Sequence, residues 1–142
     1  MQGLGEKEIK LIKNFLQERV NPLFILLFGS AAQDRLRADS DIDLAFLAEQ
    51  KTEAWYRYQL AQELAELLQR EVDLVDLREA STVLTAQIVG TGKIVFSRDE
   101  IARQWFFMRA LKEYALLNER RQVILEAIKK RGRVYGEGCD YQ

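Results

Sequence analysis

Six consecutive apolar residues, Leu23-Phe24-Ile25-Leu26-Leu27-Phe28, stand between Asn21-Pro22 and Gly29-Ser30. A short apolar run bounded by turn residues reads as a strand buried on both faces. It is far too short to span a bilayer. The flanking segments alternate in period. Residues 5–19 place Ile9, Ile12 and Leu16 on one helical face, and Pro22 ends that helix. Residues 40–47 alternate Asp41, Asp43, Ala45 with Ile42, Leu44, Phe46, which is the period of a strand.

The same reading gives a helix over 52–69 with Thr52 as N-cap, and a third strand over 71–77. A short helix over 81–89 is ended by Gly90-Thr91-Gly92, and an edge strand follows over 93–97. A long helix spans 99–131, capped by Ser97 or Asp99 and stopped by Gly132. The fold class is therefore α/β (α+β) with a small sheet of about four strands. At 142 residues the chain reads as a single domain over 1–132 with a tail over 133–142.

Two absences narrow the chemistry. There is no histidine, hence no imidazole base, no Ser-His or Cys-His pair and no histidine metal site. Cys139 is the one cysteine and lies in the tail, so disulfides and thiolate metal centres are excluded. Chemistry falls to carboxylates, which favour hard cations such as Mg²⁺. The formal charge of −1 argues against bulk electrostatic capture of nucleic acid, and no direct nucleic-acid binding is expected. Residues 1–97 hold 11 basic and 15 acidic side chains, whereas 98–142 hold 10 and 7, an acidic body with a basic end. The polar N-terminus lacks a signal peptide's apolar core, so the protein is expected in the cytoplasm.

One constellation can carry chemistry: Gly29-Ser30, ten residues, then Asp41-Ile42-Asp43. Gly29 lets the main chain come close to a ligand. Backbone N–H groups and the Ser30 hydroxyl at a strand end can face a phosphate. Asp41 and Asp43, two apart on a strand, project from one face. Their mutual repulsion is relieved by divalent cations, the template of two-metal phosphoryl or nucleotidyl transfer. The strand over 71–77 offers a third carboxylate. Asp73 lies inside it and is the choice for metal ligand and base; Asp76, near the strand end, is the alternative.

Gly29-Ser30-x₁₀-Asp41-x-Asp43 with Asp73 on a later strand resembles the polymerase-β-like nucleotidyltransferase superfamily. The run Ser40-Asp41-Ile42-Asp43-Leu44-Ala45 in so small a chain is most similar to its minimal nucleotidyltransferases, the MNT antitoxins. The resemblance spans about residues 23–97. It implies a small mixed sheet with flanking helices, and ATP as substrate with Mg²⁺. Asp41, Asp43 and Asp73 would hold the metals, Asp73 would activate the acceptor, and Gly29 and Ser30 would grip the triphosphate. The family's members move AMP from ATP to a tyrosine of a partner HEPN-type toxin, a ribonuclease, and silence it; the two also form a complex. Many members carry a basic residue and Gly soon after Gly-Ser. This chain has Gln33 and Asp34 there, so Arg35 or Arg37 is the substitute phosphate contact. Two alternatives remain: neutralisation by complex formation alone, and transfer to a small-molecule hydroxyl such as that of an antibiotic.

The long helix is apolar nearly all round from Ile101 to Leu117, more than docking on one sheet face requires. Its apolar surface is read either as intramolecular core, between the first helix and the sheet, or as a partner interface, with room for both on different faces. Its far end turns basic with Arg120, Arg121, Lys129, Lys130, Arg131 and Arg133.

Overall fold

The computed structural model describes residues 5–29 and 41–135, with side chains through residue 130. The element order is α1(Glu6–Arg19), β1(Phe24–Phe28), β2(Ile42–Leu47), α2(Ala54–Leu68), β3(Val72–Asp76), α3(Thr82–Thr91), β4(Lys93–Ser97) and α4(Glu100–Tyr135). The sheet runs β3-β2-β1-β4. β1 is antiparallel to both β2 and β4, and β2 is parallel to β3. The small mixed sheet with flanking helices and a long last helix is thus the expected architecture.

The apolar run explains the layering. Alternate β1 side chains face opposite ways, and both sets are buried. Ile25 and Leu27 meet Ile12 and Leu16 of α1 and Leu60, Leu64 and Leu68 of α2. Phe24 and Leu26 meet Ile88 of α3, with Phe106 and Phe107 of α4 packed against them. The Phe24 ring lies 5.6 Å from that of Phe106 and 5.8 Å from that of Phe107. Burying such an aromatic contributes on the order of 2–3 kcal/mol. A four-stranded sheet covered by helices on both faces leaves its strand ends as the place where polar groups reach solvent.

Local chemistry sets most boundaries. The Ser81 hydroxyl accepts from Leu84 N–H (3.1 Å) and starts α3; Asp99 accepts from Ala102 N–H (3.0 Å) and starts α4. Arg103 beside Glu100 holds that carboxyl down at about 2. Three expectations are corrected. Thr52 does not cap α2; its N–H and hydroxyl both donate to Asp76 Oδ2 at 2.8 Å, and Glu53 holds the cap position without a side-chain bond. α3 runs through Gly90 to Thr91, because a glycine inside a helix weakens it without breaking it. α3 ends at Gly92, where the backbone turns extended and a Cβ would lie 2.6 Å from the Ile88 carbonyl oxygen, so this turn needs glycine. Like Gly90, and unlike Gly92, Gly132 does not stop its helix: α4 continues to Tyr135, into the stretch expected as tail.

α4 has 36 residues, about 54 Å of helix. Among the described side chains of α4, Ala110 is the last buried one, Tyr114 and Leu117 are half-buried, and every one over 118–130 is exposed. The inner face is core and the rest of the helix stands free of it. Among the described residues no helix is long and apolar enough to cross a membrane.

Candidate active site

β2 and β3 run side by side with no offset. Ile42 pairs with Val72, Asp43 with Asp73 and Leu44 with Leu74. On its other side Asp43 pairs with Phe28, the last residue of β1. Register partners share a face, so Phe28, Asp43 and Asp73 form a row across three strands. The row lies at the C-terminal end of β1, on the face covered by α3 and α4. Gly29 continues from Phe28 at one end of it. Asp73, on the edge strand, closes the other.

Asp43 is half-buried between exposed Asp41 and exposed Asp73. Burial pushes its carboxyl above the ordinary carboxylate range, and the charges of Asp73 and then Asp41 push the same way. The three carboxylates proposed from the sequence therefore interact electrostatically. A cation or a proton at this place would relieve the strain between them.

Gly29 has φ +71°, the left-handed region that favours glycine. A Cβ built on it would collide with Oδ2 of Asp43. The glycine thus serves the carboxylate directly: it allows the turn out of β1 to pass against the Asp43 side chain. Gly29→Ala is expected to lower the unfolding free energy by about 1–3 kcal/mol, from backbone strain and displacement of Asp43. Denaturant titration measures it, and an unchanged midpoint would remove the steric argument. Ser30, Gln33, Asp34, Arg35 and Arg37 lie outside the described residues.

Asp76 is on the opposite face. Its oxygens accept from Thr52 N–H and hydroxyl and from Arg78 N–H, with Arg57 Nη1 at 3.9 Å. A carboxylate so saturated is an anchor between β3 and the start of α2. It is not brought together with Asp41 and Asp43.

The α2 residues beside Asp73 escape a sequence reading. Ala54, Tyr58, Ala61 and Gln62 line a cavity of 310 Å³ together with residues 72–74. The signal was present in the helical spacing 54, 58, 61, which leaves small side chains flanking an exposed tyrosine. It had no meaning until β3 was known to lie next to that stripe.

Among the described residues no three metal-ligating side chains form a ready-made cage. That suits Mg²⁺, which keeps waters and is held by one or two carboxylates plus the phosphates of a substrate. The donor set is all-oxygen, its central member is destabilised by its neighbours, and a close-approach glycine adjoins it. The arrangement fits a divalent cation arriving with a polyphosphate.

Residues 10–101 match the family described as polymerase beta, nucleotidyltransferase. The protein adenylyltransferase MntA of Shewanella oneidensis is 40% identical over 129 residues, 90% of this chain and 90% of that protein. A chain from a toxin–antitoxin crystal structure with AMP-PNP is 36% identical with a TM-score of 0.78, covering 89% of this chain and 99% of that one. A chain from the complex of tri-AMPylated S. oneidensis HEPN toxin with MNT antitoxin is 34% identical with a TM-score of 0.74. It covers 91% of this chain and 99% of that one.

Proposed function

Because the chain belongs to the polymerase beta nucleotidyltransferase family, we propose that it is an MNT-type antitoxin that transfers AMP from ATP to a tyrosine of a HEPN-type toxin. The observation that carries this reading is the row Gly29–Asp43–Asp73, a phosphate-approach point and two carboxylates in register on neighbouring strands. The relatives add weight: one is a protein adenylyltransferase, and one complex contains an AMPylated toxin.

In this reading Gly29 and Ser30, with Arg35 or Arg37, grip the triphosphate. Asp41 and Asp43, with Asp73, are the residues that would hold Mg²⁺. Bound there, the cation supplies positive charge against the phosphate oxygens as negative charge develops. Asp73 accepts the tyrosine hydroxyl proton. The tyrosine oxygen bonds to the α-phosphorus, the bond from that phosphorus to the oxygen bridging to the β-phosphate breaks, and pyrophosphate leaves. The chain's own contribution is alignment: strand-borne carboxylates in fixed register hold the reacting groups in line.

The experiment is intact-mass spectrometry of a HEPN-type partner after incubation with this chain, ATP and Mg²⁺. A gain of one or more AMP units supports the reading; an unchanged mass with every nucleoside triphosphate overturns it.

Neutralisation by contact is the second reading, favoured by the surface of α4. Ile101, Trp105 and Met108 recur at helical spacing and are 69%, 64% and 62% exposed, on the side away from buried Ala110. Val123, Ile124, Leu125 and Ile128 are also exposed, in the stretch that stands free of the body. A partner that covers them would use Trp105 as an anchor. Trp105→Ala is expected to weaken the complex by about 30-fold, roughly 2 kcal/mol, with an unchanged melting temperature. Calorimetric titration against the partner reads the first number, and wild-type affinity would exclude this face.

A further inference from the structure

We propose that the groove between the outer edge of β3 and α2 receives the acceptor as an extended, tyrosine-bearing polypeptide segment that adds to the sheet beside β3. This rests on the adenylyl-transfer reading and goes beyond it by fixing where, and in what conformation, the acceptor binds.

The first argument is direction. The row Gly29–Asp43–Asp73 crosses the sheet from β1 to its edge. If the triphosphate lies at the Gly29 end, pyrophosphate leaves on that side. In-line displacement then requires the attacking oxygen on the far side of the α-phosphorus, which is the Asp73 side. Among the described residues no strand lies beyond β3, so that approach is across its edge.

The second argument is the edge itself. Ile42 N–H donates to the Glu71 carbonyl, and Leu77 N–H donates to the Phe46 carbonyl. In a parallel ladder the hydrogen-bonding direction alternates along the strand. Glu71, Asp73, Val75 and Leu77 therefore turn their main chain to β2, while Val72 and Leu74 turn theirs outward. Outward N–H and C=O groups reward an extended polypeptide and give nothing to a small hydroxyl compound. An open edge of this kind is a liability unless it is used or covered.

The third argument is the wall. The cavity of 310 Å³ lies on the α2 side of β3, between residues 72–74 of that strand and Ala54, Arg57, Tyr58, Ala61 and Gln62 of α2. Tyr58 is 69% exposed, and α2 packs into the core through Leu60, Leu64 and Leu68 without it. Arg57, beside it, is committed to the Thr52 carbonyl and hydroxyl and to Glu79. Ala54 and Ala61 keep the trough open, and Tyr58 offers a ring for the side chains that an added strand turns toward α2. The alternate side chains of such a strand turn to the other face, where the tyrosine hydroxyl meets Asp73.

The test is kinetic and uses the full chain with labelled ATP, Mg²⁺ and a library of linear peptides centred on tyrosine. Wild type is expected to label a subset. For the best peptide, Ala54→Trp, which fills the trough, and Tyr58→Ala are expected to raise KM at least tenfold. The Kd of a non-hydrolysable ATP analogue should stay at the wild-type value. Backbone N-methylation of the residues flanking the tyrosine should raise KM similarly. Wild-type KM values in both variants would overturn the groove alone. A chain that labels the folded toxin but no linear peptide overturns the extended conformation while adenylyl transfer stands. A chain that labels no protein and no peptide overturns both.

Discussion

Replacing Asp41 and Asp43 together by asparagine is expected to lower AMP transfer by at least about a thousandfold, roughly 4 kcal/mol of transition-state stabilisation, while the protein remains folded. Asparagine keeps the shape and removes the charge a cation needs. The loss should come without destabilisation, and this separates it from an unfolding artefact. The Asp43 carboxyl is pushed up by burial and by its charged neighbours. In the metal-free protein the folded state thus holds that proton to higher pH than the unfolded chain does. The sign follows: stability falls as pH rises from the ordinary carboxylate range through the raised value, and above it the ionised group is a standing cost. Asparagine removes that cost. In chelator at neutral pH the double variant should melt at or above the wild-type temperature. Wild type, and not the variant, should gain stability from Mg²⁺ with an ATP analogue. Scanning calorimetry checks all three points. A variant that melts lower than wild type and still transfers AMP would refute the assignment of both residues.

Asp76→Ala should give the opposite phenotype, about 3–5 kcal/mol of lost stability. Asp76 is 2% exposed. Its removal strands Thr52 N–H, the Thr52 hydroxyl and Arg78 N–H. Among the described residues it also takes from Arg57 the one buried carboxylate near it, leaving it Glu79 and the Thr52 oxygens. Against a typical total of about 5–15 kcal/mol the variant would be marginal at best. Asp73→Ala, three residues earlier, removes an exposed side chain, with an effect on stability below about 1 kcal/mol and a severe effect on transfer. Equilibrium urea unfolding of the two variants side by side decides it. Equal costs would erase the distinction between Asp76 as anchor and Asp73 as site residue.

Much of this was legible in one dimension. The apolar run at β1 and the alternation at β2 are local patterns, and a strand's period of two already puts Asp41 and Asp43 on one side. Gly29 was recognisable as a close-approach residue. Its actual partner was not: the atom a Cβ would strike belongs to Asp43, fourteen residues on. The choice between Asp73 and Asp76 rested on position within a strand, and the reason that separates them, Thr52, is on a different element. Thr52 was misread for the same cause. A threonine before a helix is an N-cap by propensity, but a buried carboxylate competes for its hydroxyl and wins. Gly90 and Gly132 do not end their helices because a glycine's effect on a helix is small enough for neighbouring turns to override.

What the sequence determined by itself is the chemistry and the layering. Absent histidine and a solitary cysteine leave carboxylates, and a run buried on both faces demands cover on both sides. What only the tertiary structure decided is adjacency. β2 and β3 are 24 or more residues apart along the chain, and their zero-offset parallel pairing, which sets Asp73 beside Asp43, depends on how α2 crosses between them. Register between distant strands is fixed by which side chains fill the shared core, a property of the packed whole that no local pattern encodes. The free edge of β3 and the trough beside it follow from that same pairing.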